Sequence, residues 1–269
     1  MANPDSYEIH AIRYATNQTR KRFHSCLHCT PDDVHETMPM DFYVWVIQNK
    51  HRTIVVDCGS KQWKCEQRGH DFIRCPVEGL EAIGINADKT DDLILTHLHW
   101  DHAGNVDLFK NAMVHLTDTE MRNATSQDMA DPVINTYFLV DDVCTVVQRL
   151  FDGAVTFHHQ DREIAPGVSL HKVGGHSAGM QVVRVYTKRG WVVLASDATH
   201  YYTNYMDRNP FPILYNFNDM ITGWDRCLEL ADSPDHVVPG HDPLVLKRYL
   251  PASHSLDGDV VRLDLDPMA

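Results

Sequence analysis

Thr96-His97-Leu98-His99-Trp100-Asp101-His102-Ala103-Gly104 gathers four potential metal ligands into six residues, directly after the apolar run Leu93-Ile94-Leu95. Imidazole suits zinc and its first-row neighbours, and a carboxylate adds a harder oxygen ligand with negative charge. His97 and His99 sit two positions apart, so they point the same way from an extended segment, where side chains alternate with period two. Asp101 and His102 follow the turn and can face a second ion. A loop that is merely polar is the simpler alternative, and a lone His-x-His would warrant it. Four ligands at this spacing point instead to a catalytic metal site at the end of a strand.

The spacing H-x-H-x-D-H does not stand alone. Gly174-Gly175-His176-Ser177-Ala178-Gly179 follows, then Ala195-Ser196-Asp197-Ala198 after the apolar Trp191-Val192-Val193-Leu194, then Pro239-Gly240-His241-Asp242; upstream lies Thr53-Ile54-Val55-Val56-Asp57-Cys58-Gly59. On these segments, in this order, the chain resembles the metallo-β-lactamase-fold hydrolases from about Asp41 to about Leu246. The resemblance implies an α+β fold, a four-layered αββα sandwich with metals at one edge, and a single domain over residues 1–269. Position by position it implies one ion on His97, His99 and His176, another on Asp101, His102 and His241, and Asp197 bridging both. Two Zn2+ are the expected cofactors, with Mn2+ or Fe2+ as substitutes; a metal-bridging hydroxide would be the nucleophile. The glycines around His176 permit the sharp backbone that presents a ring to a metal. Asp57 is expected to orient a ligand histidine rather than to bind metal. His70, His115, His158, His159 and His171 are read as surface or structural.

Composition is compatible with that reading. Hydrophobic residues at 43% and charged residues at 23% suit one globular domain with a sizeable core. A formal net charge of −13, from 37 acidic against 24 basic residues, argues against a nucleic-acid surface. Two divalent ions would still make the pocket locally electropositive, so an uncharged or anionic small molecule is admissible. No stretch approaches the eighteen or so apolar residues of a membrane span, and the amino terminus lacks a signal core, so a cytoplasmic location is expected. The seven cysteines are odd in number and scattered, which reads as free thiols. Cys26-Leu27-His28-Cys29 has C-x-x-C spacing but no second pair to complete four ligands.

Apolar, β-branched runs predict strands at Phe42–Ile47, Thr53–Val56, Leu93–Leu95, Val114–Leu116, Val168–Val173, Gln181–Tyr186 and Trp191–Leu194. Helical patterns cover Val133–Leu150, Asp219–Leu230 and Leu244–Leu250. Two irregular polar segments, residues 13–39 and 61–76, are expected to be loops that cover the substrate.

Within the family the pattern narrows further. Metallo-β-lactamases proper carry a cysteine ligand where this chain has Asp197, flavodiiron relatives carry a carboxylate where His99 stands, and with a short stretch after His241 the carboxy-terminal region of hydroxyacylglutathione hydrolases is not expected here. The chain is most similar to the N-acyl-homoserine lactonase group, which implies a small-molecule lactone as substrate and ring opening as the reaction. A thioesterase or a cyclic-amide hydrolase is the alternative of the same chemistry, and a non-catalytic metal-binding protein the alternative of another class. Asp101, His200 or Tyr202 would handle the proton. Those lactonases place a tyrosine three residues after the bridging aspartate; here His200 holds that position, followed by Tyr201 and Tyr202. If the segment is extended, Tyr202 shares a face with His200, and Tyr202 is the expected donor.

Overall fold

The structure is a computed structural model that describes residues 5–268. In its first half the chain forms β1 (Glu8–Asn17), β2 (Met40–Gln48), β3 (Thr53–Val56), β4 (Asp71–Phe72), β5 (Asp92–Ile94), β6 (Met113–Thr117) and β7 (Val155–His158). The second half forms β8 (Arg162–Ala165), β9 (Val168–Lys172), β10 (Gln181–Thr187), β11 (Gly190–Ser196) and β12 (Val237–Pro239), and β13 (Val260–Arg262) returns to the first sheet. That sheet runs β13-β1-β2-β3-β5-β6-β7, with β4 attached to the end of β1; the other runs β12-β11-β10-β9-β8.

The two sheets face each other, and alternation along β2 shows how. Tyr43, Trp45 and Ile47 point between the sheets and share one buried cluster with Val183, Val185, Val192 and Leu194 of the second sheet. Phe42, Val44 and Val46 point to the other side, onto Leu80, Met121, Val143 and Val146. Those last four residues belong to α2 (Pro76–Ala82), α3 (Asp118–Ala124) and α4 (Val140–Phe151), which follow α1 (Gln62–Gln67) in the chain. After α5 (Tyr202–Met206), α6 (Phe217–Leu230) covers the outer face of the second sheet through Met220, Trp224 and Cys227. The last helix is α7 (Leu244–Arg248). A strand buried on both faces is largely apolar, which is why β2 and β3 read as near-continuous runs rather than alternating ones. The result is the αββα layering that the resemblance implies.

All seven anticipated strands are present, with ends shifted by a few residues at most. The expected loop over residues 13–39 needs correcting at its start: Arg13–Asn17 belongs to β1, paired with β2 from Glu8 to Asn17 across a bulge after Arg13. Polar His10, Arg13 and Thr16 break the apolar pattern of β1, and they are accommodated by Asp41 and the sheet edge. The expected loop over 61–76 contains α1 and β4, and the helix expected from Val133 begins at Val140. Among the described residues no helix is long and apolar enough to cross a membrane.

β3, β5, β11 and β12 end on the same edge, where ligand sites of sheet proteins form outside the carboxyl ends of strands. Trp224 ties α6 to that edge: it is buried, and its indole N–H donates to the Ala198 carbonyl at 2.6 Å. Trp224→Ala should therefore lower unfolding free energy by about 3–5 kcal/mol. Urea denaturation checks this as a lower midpoint at unchanged slope.

Candidate metal centre

Asp57 and Ser196 end β3 and β11 in left-handed backbone, at φ 59° and 44°, a conformation that non-glycine residues adopt only when their surroundings hold them there. Asp57 is fully buried, and its carboxylate accepts from the Thr96 N–H and Thr96 Oγ1, both at 2.8 Å, from His102 Nδ1 at 2.8 Å and from Ser196 Oγ at 3.3 Å. One side chain thus fixes the turns after β3, β5 and β11. The turn after β11 is clamped to that after β12, since the Gly240 and His241 N–H groups donate to the carbonyls of Thr199 and His200. Gly240 has to be glycine: a Cβ there would lie 2.7 Å from Asp197 Oδ1 and from Ser196 backbone. Gly175, at φ +91°, lets the chain turn into His176 where a Cβ would meet the Met220 backbone at 2.5 Å.

These turns bring the anticipated ligands together. Donor atoms of His97, His99 and His176 lie close enough for one ion, and those of Asp101, His102 and His241 for another. Asp197 stands between them. Its Oδ2 is 3.2 Å from His176 Nε2, while its Oδ1 is 3.4 Å from His102 Nε2 and 2.9 Å from His241 Nε2. A carboxylate that turns one oxygen to each group is built to bridge.

The outer nitrogens are occupied by protein. His102 Nδ1 bonds Asp57, His176 Nδ1 donates to the Ile213 carbonyl and His241 Nδ1 to the Asp41 carbonyl, each at 2.8 Å. Such bonds fix the tautomer and aim the other nitrogen inward. The inward atoms His97 Nε2, His102 Nε2, His241 Nε2 and Asp197 Oδ1 are buried and make no hydrogen bond, although His241 and Asp197 nearly touch. Buried polar atoms without partners are costly, and lone pairs that converge without bonding one another fit a cation at their focus. Burial holds His97 and His99 well below the usual histidine range, with neighbouring imidazoles adding to the effect, so both carry a free lone pair. Burial also opposes charge on His102, but Asp197, Asp101 and Asp57 outweigh it and raise its pKa. Among the described residues these three carboxylates have no Lys or Arg partner; divalent cations would supply the missing charge. The arrangement fits a dinuclear metal site.

The segment after Asp197 corrects the expectation for Tyr202. It is not extended there: Tyr201 caps α5 and Tyr202 is its first residue. Helical rotation turns Tyr202 into the core, beneath the Arg248 guanidinium at 4.5 Å and beside Tyr205, with its hydroxyl unbonded and away from the ligands. Tyr201 points the other way and accepts from Ser25 Oγ at 3.2 Å. His200 is the one that reaches the centre. Its Nε2 meets Asp197 Oδ2 at 2.9 Å, and its ring stacks on Phe211 at 3.5 Å, 6° from parallel.

His70 also needs revising. His115 and His158 form a buried chain with Asp92, and His171 bonds Asp161, but His70 lines the cavity over the ligands, stacked on Trp100 at 5.6 Å. Burial pushes its pKa down to about 4, so the ring is neutral. Its place in the segment 61–76, expected to cover the substrate, was the one signal for it; the side chain's direction was not legible, since β4 that holds it in place was itself unforeseen. No metal-donor cluster among the described residues includes Cys26 or Cys29. The cavity measures about 610 Å³; Met40, Phe42, Trp100 and Ile213 give it an apolar side, and His99, Asp101, Asp197, His200 and His241 open onto it.

An αββα sandwich with a histidine–aspartate cluster at one sheet edge defines a class of metal-site proteins. A sequence profile described as Metallo-beta-lactamase superfamily matches residues 43–241, and the chain belongs to that superfamily. It is similar to the N-acyl homoserine lactonase AiiB of Agrobacterium fabrum (strain C58 / ATCC 33970), 33% identical over 132 residues that make up 48% of this chain and 47% of that one. It is also similar to N-acyl homoserine lactonase AiiB of Rhizobium rhizogenes (strain K84 / ATCC BAA-868), 32% identical over 60% of this chain and 64% of the relative. The match thus spans about half to two thirds of these relatives' length. Among solved structures, an N-acyl homoserine lactone hydrolase with the product N-hexanoyl-L-homoserine bound at its catalytic metal centre superposes at a TM-score of 0.73, with 20% identity over 89% of this chain and 95% of that one. A quorum-quenching N-acyl homoserine lactone lactonase does so at 0.74, with 20% identity over 90% and 94%.

If Asp57 orients the site through His102, Asp57→Asn should weaken metal binding about 10–100-fold while the protein still folds. Competition against a chelator with metal readout measures it, and unaltered affinity would assign Asp57 a role in the turns alone.

Proposed function

We propose that this protein is a dinuclear zinc hydrolase that opens the ring of a small-molecule lactone. The observation that carries the reading is the pair of three-residue ligand groups bridged by Asp197 on the floor of a cavity of about 610 Å³. The ligands would be His97, His99 and His176 for one ion, Asp101, His102 and His241 for the other, and Asp197 for both. Bound there, zinc ions supply a nucleophile from water at neutral pH and polarise the carbonyl under attack.

The chain's own residues do the rest. Asp57 and the Ile213 and Asp41 carbonyls hold the ligand rings so that little reorganisation accompanies reaction. Met40, Phe42, Trp100 and Ile213 give the substrate an apolar wall and exclude water. His200 stands where Tyr202 was first expected: its Nε2–H, held against Asp197 Oδ2 and backed by Phe211, faces the cavity and can donate a hydrogen bond to the ring oxygen as that oxygen leaves. Lactones are favoured as substrates because the named relatives are N-acyl homoserine lactonases and a neighbour of the same fold holds an opened N-acyl homoserine. A purely structural metal site would have no use for unpaired donors beside an open cavity.

Purified protein should retain close to two metal ions per chain, since seven ligands exceed what one tetrahedral zinc takes; elemental analysis showing fewer than one ion, unrestored by zinc, manganese or iron, refutes the dinuclear reading. Metal-loaded protein should hydrolyse lactones with a higher kcat/KM than matched thioesters; a tenfold preference for thioesters, about 1.4 kcal/mol in transition-state stabilisation, would reverse the assignment. His200→Ala should keep both ions and lower kcat about ten- to a hundredfold, reaching only the low end of what one positioned catalytic donor supplies. Tyr202→Phe should leave kcat within about twofold, as its hydroxyl touches nothing polar.

A further inference from the structure

Apart from the ligands Asp101 and Asp197, the cavity wall contains no carboxylate, yet Arg20, Lys21 and Arg68 all line it. This is unusual for the chain, whose net charge is −13 and whose arginines elsewhere are commonly paired: Arg13 with Asp41, Arg52 with Asp92, Arg208 with Asp225 and Arg262 with Asp264. Among the described residues none of the three cavity cations has an acidic partner. They are held by neutral groups instead. Arg20 donates from Nε to Ser25 Oγ at 3.0 Å and from Nη2 to the His24 carbonyl at 2.7 Å. Arg68 donates from Nη2 to the Thr136 carbonyl, and its guanidinium lies over the rings of Trp100 and Tyr137, at 5.1 and 5.3 Å. Its Nε is buried with no acceptor. Both guanidinium groups are therefore fixed in place with donors to spare.

His70 belongs to the same wall. Asn17 Nδ2 donates to His70 Nδ1 at 3.0 Å, which places the ring proton on Nε2, and Nε2 has no protein partner among the described residues. Permanent cations anchored by carbonyls and aromatic faces are preorganised for an anion, because a guanidinium fork matches a carboxylate and little side-chain freedom is lost on binding.

We propose that the Arg20–Arg68–His70 wall is an anion subsite, and that the preferred substrate is a lactone carrying a carboxylate of its own. This rests on the lactone-opening reading. The acidic group is distinct from the carboxylate that ring opening creates, which arises at the metal centre. The first long loop brings Arg20 and the segment after α1 brings Arg68, so the two stretches over the cavity set specificity by charge.

The test compares two lactones of nearly equal size on the metal-loaded protein: γ-butyrolactone with a carboxylate on the ring carbon next to the ring oxygen, and the same lactone with a carboxamide there. The carboxylate should be favoured in kcat/KM at least about tenfold, and the ratio should fall by a similar factor in an Arg20→Met/Arg68→Met double variant whose metal content and melting temperature are unchanged. In the unaltered protein, raising salt from about 0.05 to about 0.5 M should reduce the ratio about threefold or more, a readout that needs no variant. A ratio near one, or a ratio that neither the variant nor salt moves, overturns the subsite. If neither lactone is opened, the lactone reading fails, and calorimetric binding of the same pair decides the subsite separately. Tighter binding of the carboxylate that the double variant abolishes supports it; equal affinities, or affinities the variant leaves unchanged, overturn it.

Discussion

A buried carboxylate that takes four hydrogen bonds holds this molecule's working edge together. Asp57 receives the Thr96 N–H and hydroxyl, His102 Nδ1 and Ser196 Oγ, so the ends of β3, β5 and β11 share one anchor. A charge with no exposure persists only when such partners are in place, and removing one of them leaves a buried ion uncompensated. The left-handed backbone at both Asp57 and Ser196 is held by the same bonds. Position and electrostatics are coupled here: the group that orients His102 also helps raise its pKa.

Around that anchor the two sheets act as a rigid mount. β11 and β12 run parallel, as do β3 and β5, so four strands deliver their following turns to one edge. The core between the sheets and the core under α2, α3 and α4 leave those strands no freedom to slip, because a one-residue shift would exchange their two faces. The cluster needs that stiffness. The inward nitrogens of His97, His102 and His241 and one oxygen of Asp197 make no hydrogen bonds of their own, and the outer nitrogens of His102, His176 and His241 are tied to Asp57 or to backbone carbonyls.

The cavity above the cluster is differently made. Its wall is drawn from the segment after β1, the stretch from α1 to β4, Tyr137 before α4, and Pro212 and Ile213 before α6. The charged side chains those segments place on the wall, Arg20, Lys21 and Arg68, are of the sign opposite to the chain as a whole. Cations over the cavity of an acidic chain focus the field at the cavity mouth, so the molecule's net charge does not describe its pocket.

Much of the histidine–aspartate cluster was legible in the linear sequence, because residue type and spacing survive folding. H-x-H-x-D-H, the glycines beside His176, and Asp197 and His241 at the ends of apolar runs were all readable, as was the supporting part for Asp57. Thr53–Val56 was read to its ends, since a strand buried on both faces is a continuous apolar run. β1 was not, because its polar Arg13 and Thr16 find partners only across the sheet, on Asp41. The choice among His200, Tyr201 and Tyr202 also lay beyond the sequence: alternation predicts orientation only if the chain is extended, and the turn into α5 reverses the outcome. His70, Arg20 and Arg68 are far apart in the chain or carry no motif, and they come to one cavity wall only where β4 pairs with β1 and the loops fold over the cluster. Residue chemistry is local and can be read one position at a time, whereas the direction of a side chain, and the company it keeps, depends on backbone geometry that distant segments impose.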